Sequence, residues 1–179
     1  GGEGFSFDPI VAAGPSSALP HYHPSSARLS DHNVVLVDWG TSYNGYASDL
    51  TRMIHLGDVP NEIAEIHEVV AAAKHAATAC VRDGVDLLEV DSAARDLIAE
   101  AGFGEHFKHG LGHSFGLESH ESPFLSPAFR GQLTAGMVIT IEPGIYLAGL
   151  GGVRLEDDIL VTENGFERLN CLPDKFFGI

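Results

Sequence analysis

KHGLGHSFGLESHESP, residues 108–123, is the stretch that the other segments have to be fitted around. It gathers three histidines (His109, His113, His120) and two acids (Glu118, Glu121) into one run punctuated by glycines. His109 and His113 have the HxxxH spacing that forms a zinc-binding pair on a helix. Gly110, Gly112 and Gly116 oppose a helix here, because glycine carries a high entropic cost in a helix interior. The histidines therefore sit on non-helical chain, and spacing alone does not say which of them binds anything.

Carboxylates elsewhere complete the pattern. Residues 34–37, VVLV, form a continuous apolar run rich in β-branched residues that reads as a buried strand and ends at Asp38. Asn44-Gly45, the strongest two-residue hairpin signal, follows between Tyr43 and Tyr46. With those two residues as the loop, Asp38 faces Thr51 and Asp49 faces Gly40. Asp38 and Asp49 then lie diagonally on one face, with alpha carbons about 7–8 Å apart or less. An apolar strand over residues 137–141 stops at Glu142. Another over 153–161 carries Arg154 and Glu156 on one face by its period of two.

Buried ionised carboxylates are prohibitive unless they are paired or bound to metal. Asp49 beside Asp38 is repulsive without a cation between them. Four carboxylates and one histidine make a hard, oxygen-rich set that suits manganese, cobalt, iron or zinc. Two such metals about 3.5–4 Å apart, bridged by carboxylates, form a hydrolytic arrangement.

The remaining chain reads as scaffold. Residues 1–32 are rich in Gly, Pro and Ser and predict a long extended loop. Residues 61–82 and 87–101 carry apolar positions at threes and fours, which predicts two amphipathic helices. His67 and His75 are expected on the solvent side of the first. Cys80 reads as a small buried hydrophobe. A last hairpin is expected at 165–169. Together these predict one α+β domain, a curved antiparallel sheet covered by helices.

With 25 Asp+Glu against 10 Lys+Arg, the net charge of −15 argues against nucleic acid or an anionic membrane as partner. Two cysteines, Cys80 and Cys171, give no disulfide framework or zinc-ribbon spacing. GGEGFSF at the start does not read as a signal peptide, and no apolar run has transmembrane length. The expected setting is cytoplasmic.

In order, PHYHP (20–24), VLVDWG (35–40), SDLTR (48–52), HGLGHSFGLESHESP (109–123), TIEPGIY (140–146) and VRLEDDILVT (153–162) resemble the pita-bread metallopeptidases. The closest similarity is to the aminopeptidase P and prolidase branch, the Xaa-Pro peptidases. That resemblance implies two divalent metals, manganese above all, with Asp38 on one, Asp49 and Glu156 bridging, and His113 with Glu142 on the other. It implies a substrate-side role for His21, with His23 incidental. His120 matches a residue at the scissile carbonyl, His109 one lining the proline-side pocket, and Arg154 one that orders the site. Tyr146 matches a position near the metals, and Glu142 one that shuttles a proton. Glu118 and Glu121 drop out as ligands.

The implied reaction is metal-assisted hydrolysis of peptides with proline in second position, by a homo-oligomer in the full-length protein. The family's catalytic domain has further residues before the segment matching Phe7-Asp8-Pro9-Ile10, and a separate N-terminal domain. The 179 residues are therefore expected to be an N-terminally truncated catalytic domain, weak or inactive alone. Three rival readings remain. A methionine-aminopeptidase-like enzyme shares the metals, but SHESP and EPGIY lean to the proline branch. Creatine-hydrolysing relatives and non-catalytic peptide-binding relatives lack the ligands that this chain keeps.

Overall fold

In the computed structural model, which describes residues 1–178, Asn44 and Gly45 both have positive φ, 51° and 79°. That pair is what a type I′ hairpin turn requires, and its twist matches that of the flanking strands. The chain begins with β1 (Gly4–Phe5) and β2 (Ile10–Ala13), then runs through β3 (Val34–Trp39) and β4 (Thr41–Tyr43) into the turn. It returns through β5 (Tyr46–Ala47) and β6 (Leu50–His55). The predicted register holds along the ribbon, with Asp38 opposite Thr51 and Val34 opposite His55.

The long loop expected over residues 1–32 is only partly a loop. Residues 10–13, Ile-Val-Ala-Ala, form β2 and pair antiparallel with β3, Ile10 opposite Asp38. Gly14–Ala18 is a short 3-10 helix. The apolar run is short and hemmed in by Pro9 and Pro15, so composition hid a strand that covers the free edge of β3.

Two helices follow, α1 (Asn61–Cys80) and α2 (Leu87–Glu100). Their apolar stripes are buried: Ile63, Ile66, Val70, Ala73 and Ala77 on α1, and Val90, Ala94 and Ile98 on α2. Burying each Val or Ile side chain contributes roughly 1.5–3 kcal/mol. Cys80 packs half-buried at the core margin. His75 is exposed, as expected, but His67 is not. His67 is buried against Phe176, with ring centroids 4.4 Å apart, and burial lowers its pKa. Residues after the last hairpin fold back over that side of α1, which helical periodicity cannot reveal.

The rest of the chain forms β7 (Gly112–Ser114), β8 (Glu121–Leu125), β9 (Val138–Ile141), β10 (Gly144–Leu147), β11 (Gly151–Arg154), β12 (Asp157–Thr162), β13 (Gly165–Arg168) and β14 (Phe177–Gly178). Among the described residues these make a five-stranded sheet, β13-β12-β9-β7-β8, and a β10-β11 ribbon. The first half contributes β14-β6-β3-β2 and the smaller β1-β4-β5. Helix α1 packs on β9, β10, β11 and β13, and α2 on β8.

The single strand expected over 153–161 is two. β11 pairs with β10, and β12 with β9 and β13. The chain changes sheets at Leu155-Glu156, so the period of two does not run through. A sheet-to-sheet step leaves no local signal, since the residues on either side are equally buried.

Candidate metal centre

The five acid and imidazole side chains come from five separate places: the end of β3 (Asp38), the residue before β6 (Asp49), β7 (His113), the residue after β9 (Glu142) and the step between β11 and β12 (Glu156). All five line one cavity of about 720 Å³. Donor atoms of Asp49, His113 and Glu156 lie within 4.8 Å of one another. His113 Nε2 is 3.4 Å from Glu142 Oε1 and 4.0 Å from Asp49 Oδ2. Its Nδ1 lies 3.1 Å from the Ser114 carbonyl oxygen. A carbonyl only accepts, so Nδ1 carries the proton and the Nε2 lone pair faces the acids. That is the tautomer a metal ligand needs.

Charge is poorly balanced inside this cavity. Burial pushes Asp49 up to about 9, with Asp38 and Glu142 adding to it. Burial also takes Glu142 to about 7, Arg154 opposing and Asp38 adding. Glu156 is held well above the usual carboxylate range by burial, then by Asp49 and Glu142. Burial lowers His113 to about 4. Arg154 faces the acids, bonding Asp38 Oδ2 at 2.6 Å and lying 3.9 Å from Glu142 Oε2. One guanidinium against four carboxylates leaves a deficit of positive charge. Asp38 Oδ1 is buried with no hydrogen-bond partner among the described residues. Oxygen donors, one imidazole lone pair and an orphaned carboxylate oxygen fit hard divalent cations.

The other predicted residues surround this group. His21, His109, His120 and Arg154 line the same cavity, and so does His23. His120 stacks on His113 with ring centroids 4.1 Å apart. His109 Nδ1 donates to the Gly110 carbonyl at 2.7 Å, so its Nε2 accepts from the Tyr146 hydroxyl at 2.8 Å. Burial, then Arg154, pushes His109 down to about 4, which keeps it neutral. Tyr146 is not part of the cavity wall. Its hydroxyl sits behind His109 and accepts from Arg154 Nη1 at 3.1 Å. Glu121 braces the loop, accepting from the Glu118 amide at 2.9 Å, and is not among the lining residues.

Residues 1–163 match the family model described as metallopeptidase family M24. The chain belongs to this family. It is 47% identical over 169 residues to the Xaa-Pro dipeptidase of Pyrococcus furiosus, covering 94% of this chain and 49% of that protein. It is 48% identical over 164 residues to an uncharacterized peptidase of Staphylococcus epidermidis, covering 92% and 47%. The crystal structure of the X-Pro aminopeptidase from Thermotoga maritima superposes with a TM-score of 0.96 at 41% identity, covering 100% of this chain and 51% of that one. The fold is thus the pita-bread fold of these neighbours. The chain spans about half the length of the curated relatives it matches.

In this M24 chain several further residues, which the sequence did not single out, support the candidate ligands. Thr51 Oγ1 donates to Glu156 Oε2 at 2.6 Å and accepts from Arg154 Nε at 3.1 Å. Thr140 Oγ1 donates to Glu142 Oε1 at 3.3 Å and accepts from the His113 amide at 3.1 Å. Asp158 Oδ2 accepts from the Asp49 amide at 3.1 Å. Thr51 was within reach of sequence reasoning, because the hairpin register places it opposite Asp38. Thr140 and Asp158 act across strands whose pairing local sequence does not specify.

Proposed function

We propose that this protein is the catalytic part of a dinuclear metal-dependent peptidase that hydrolyses the Xaa-Pro bond at the N-terminus of peptides or in dipeptides. The observation that carries the reading is one cavity holding four acids, with too little positive charge to balance them, and a histidine whose free Nε2 faces them. Its relatives named Xaa-Pro dipeptidase and X-Pro aminopeptidase support the substrate class.

Asp38 would hold one metal, His113 and Glu142 the other, and Asp49 with Glu156 both. Manganese is proposed, and the same donor set suits cobalt, zinc or iron. Divalent metals bound there supply Lewis acidity toward the scissile carbonyl and a nucleophile at neutral pH. The chain's own residues do the rest. Glu142, which lies beside His113 and accepts from Thr140 Oγ1, can hold and release a proton at its carboxylate for the leaving proline nitrogen. His120 has Ser119 Oγ 3.3 Å from Nδ1, and with the proton on Nε2 it can donate to the oxyanion. His109, held neutral by burial and then by Arg154, lines the proline side, while His21 faces the substrate from the opposite segment. Arg154 ties Asp38, Tyr146 and Thr51 together. The setting is proposed to be cytoplasmic, and the complete protein a homo-oligomer.

The test is turnover of Xaa-Pro against Met-Ala peptides in Mn²⁺, with Glu156→Ala as control. Cleavage confined to Xaa-Pro substrates and abolished in Glu156→Ala is expected. A Met-Ala preference, or full activity in the variant, would defeat the reading.

A further inference from the structure

Behind the cavity lies a buried group of charges that the reaction does not use. Arg52 follows Thr51 on β6, so its side chain leaves the strand on the opposite face, and it is not among the cavity residues. Its side chain is 1% exposed, and that of Lys74 on α1 is 0% exposed. Each pairs with Asp157, the residue after Glu156. The donors of Arg52 are fully engaged. Nη1 reaches the carbonyls of Thr51 and Glu156. Nη2 donates to Asp157 Oδ1 at 2.6 Å and to the Leu172 carbonyl at 2.8 Å, with Asn170 Oδ1 at 3.2 Å. Nε donates to the Pro173 carbonyl at 3.0 Å.

These bonds fall where the chain steps from β11 to β12 and no continuous ladder holds it. Glu156 is consequently gripped from two sides by consecutive residues of β6: Thr51 holds its carboxylate and Arg52 its carbonyl. Residues 170–173 supply the outer partners of Arg52 and are themselves fastened. Asp174 pairs with Lys74 and lies 2.8 Å from His75 Nε2, Phe176 stacks on His67, and β14 pairs with β6.

We infer that Arg52 is a positioning residue for the metal-binding carboxylate of Glu156, and that residues 170–174 complete it by docking over its guanidinium. The inference rests on the metallopeptidase reading of the cavity. A buried ion pair is a weak source of net stability. Five directed donors joining β6, the β11–β12 step and the 170–174 segment instead fix where one ligand stands. Lysine keeps the charge but has neither the planar fork nor the number of donors.

The test is calorimetric titration with Mn²⁺ alone, alongside metal-free thermal unfolding, on the wild type, Arg52→Lys, Asp174→Asn and Val90→Ala. Val90 is buried on α2 and its apolar side chain makes no hydrogen bond or ion pair with these groups, so its variant reports on stability alone. Arg52→Lys should weaken Mn²⁺ binding by about tenfold, the lower end for a residue supporting a ligand. Asp174→Asn should weaken it in the same direction. Val90→Ala should lose thermal stability and keep wild-type affinity. Wild-type affinity in Arg52→Lys overturns the inference, as does an equal loss in Val90→Ala. If Arg52→Lys does not fold, Asp174→Asn decides, and wild-type affinity there overturns it. A wild-type protein that takes up no Mn²⁺ defeats the metal reading itself, and the inference with it.

Discussion

Asp49 sits buried beside Asp38, facing Glu142 and Glu156, and is pushed up to about 9. Glu142 and Asp158 stand at about 7, and Glu156 is raised further. A carboxyl whose folded pKa exceeds its unfolded value stabilises the fold below the unfolded pKa, and loses that contribution as pH rises through the folded one. His109 and His113, lowered to about 4, work the other way. Their contribution is complete above the unfolded value near 6.5 and is lost as pH falls. Between pH 7 and 9 the acids therefore act alone. Metal-free protein should lose stability across that window, by on the order of 1 kcal/mol per pH unit for each group still ionising. Saturating Mn²⁺ should flatten the curve, because bound cations favour the ionised acids. Urea unfolding at pH 7, 8 and 9 with and without Mn²⁺ measures this. A metal-free midpoint that does not fall would contradict it. At this scale the sequence was most readable where an acid ends an apolar strand, as Asp38 and Glu142 do. Arg52 and Lys74 were not readable, since an isolated cation on a strand or helix reads as surface and its buried partners lie about a hundred residues away.

Among the elements, the hairpin around Asn44-Gly45 was legible to the residue, because turn geometry fixes register and register fixes the faces. β7 was legible only as something other than a helix. Its glycine has a purpose that local sequence does not disclose. A Cβ on Gly112 would stand 2.0 Å from the Thr140 backbone oxygen, so β7 can lie against β9 only with glycine there. This approach brings His113 up to Glu142. At Gly165, by contrast, a Cβ would meet nothing within 4 Å. Gly112→Ala should therefore cost about 1–3 kcal/mol, as overpacking does, and should weaken metal binding as His113 moves. Gly165→Ala should be close to neutral. Urea midpoints for the two variants check the contrast, and equal midpoints would contradict the packing argument. β2 and the β11–β12 step were missed for a related reason: both are defined by which strand lies beside them.

Over the whole molecule, two helices and the strands they cover exist to bring five distant side chains to one cavity. The five side chains of the candidate site and their order were legible because each stands in a short, chemically distinctive run. Their convergence needed the resemblance or the structure, since no local rule places residue 38 beside residue 156. The back of the molecule, where residues 170–178 close over α1 and β6, was not anticipated at all. The most direct test of the account is the metal stoichiometry of the purified protein after equilibration with Mn²⁺ and removal of free ion. It predicts two Mn²⁺ per wild-type chain and strongly reduced occupancy of both positions in Glu156→Ala, whose carboxylate is assigned to both. A wild-type chain without bound metal, or a Glu156→Ala variant that retains both ions, would contradict it.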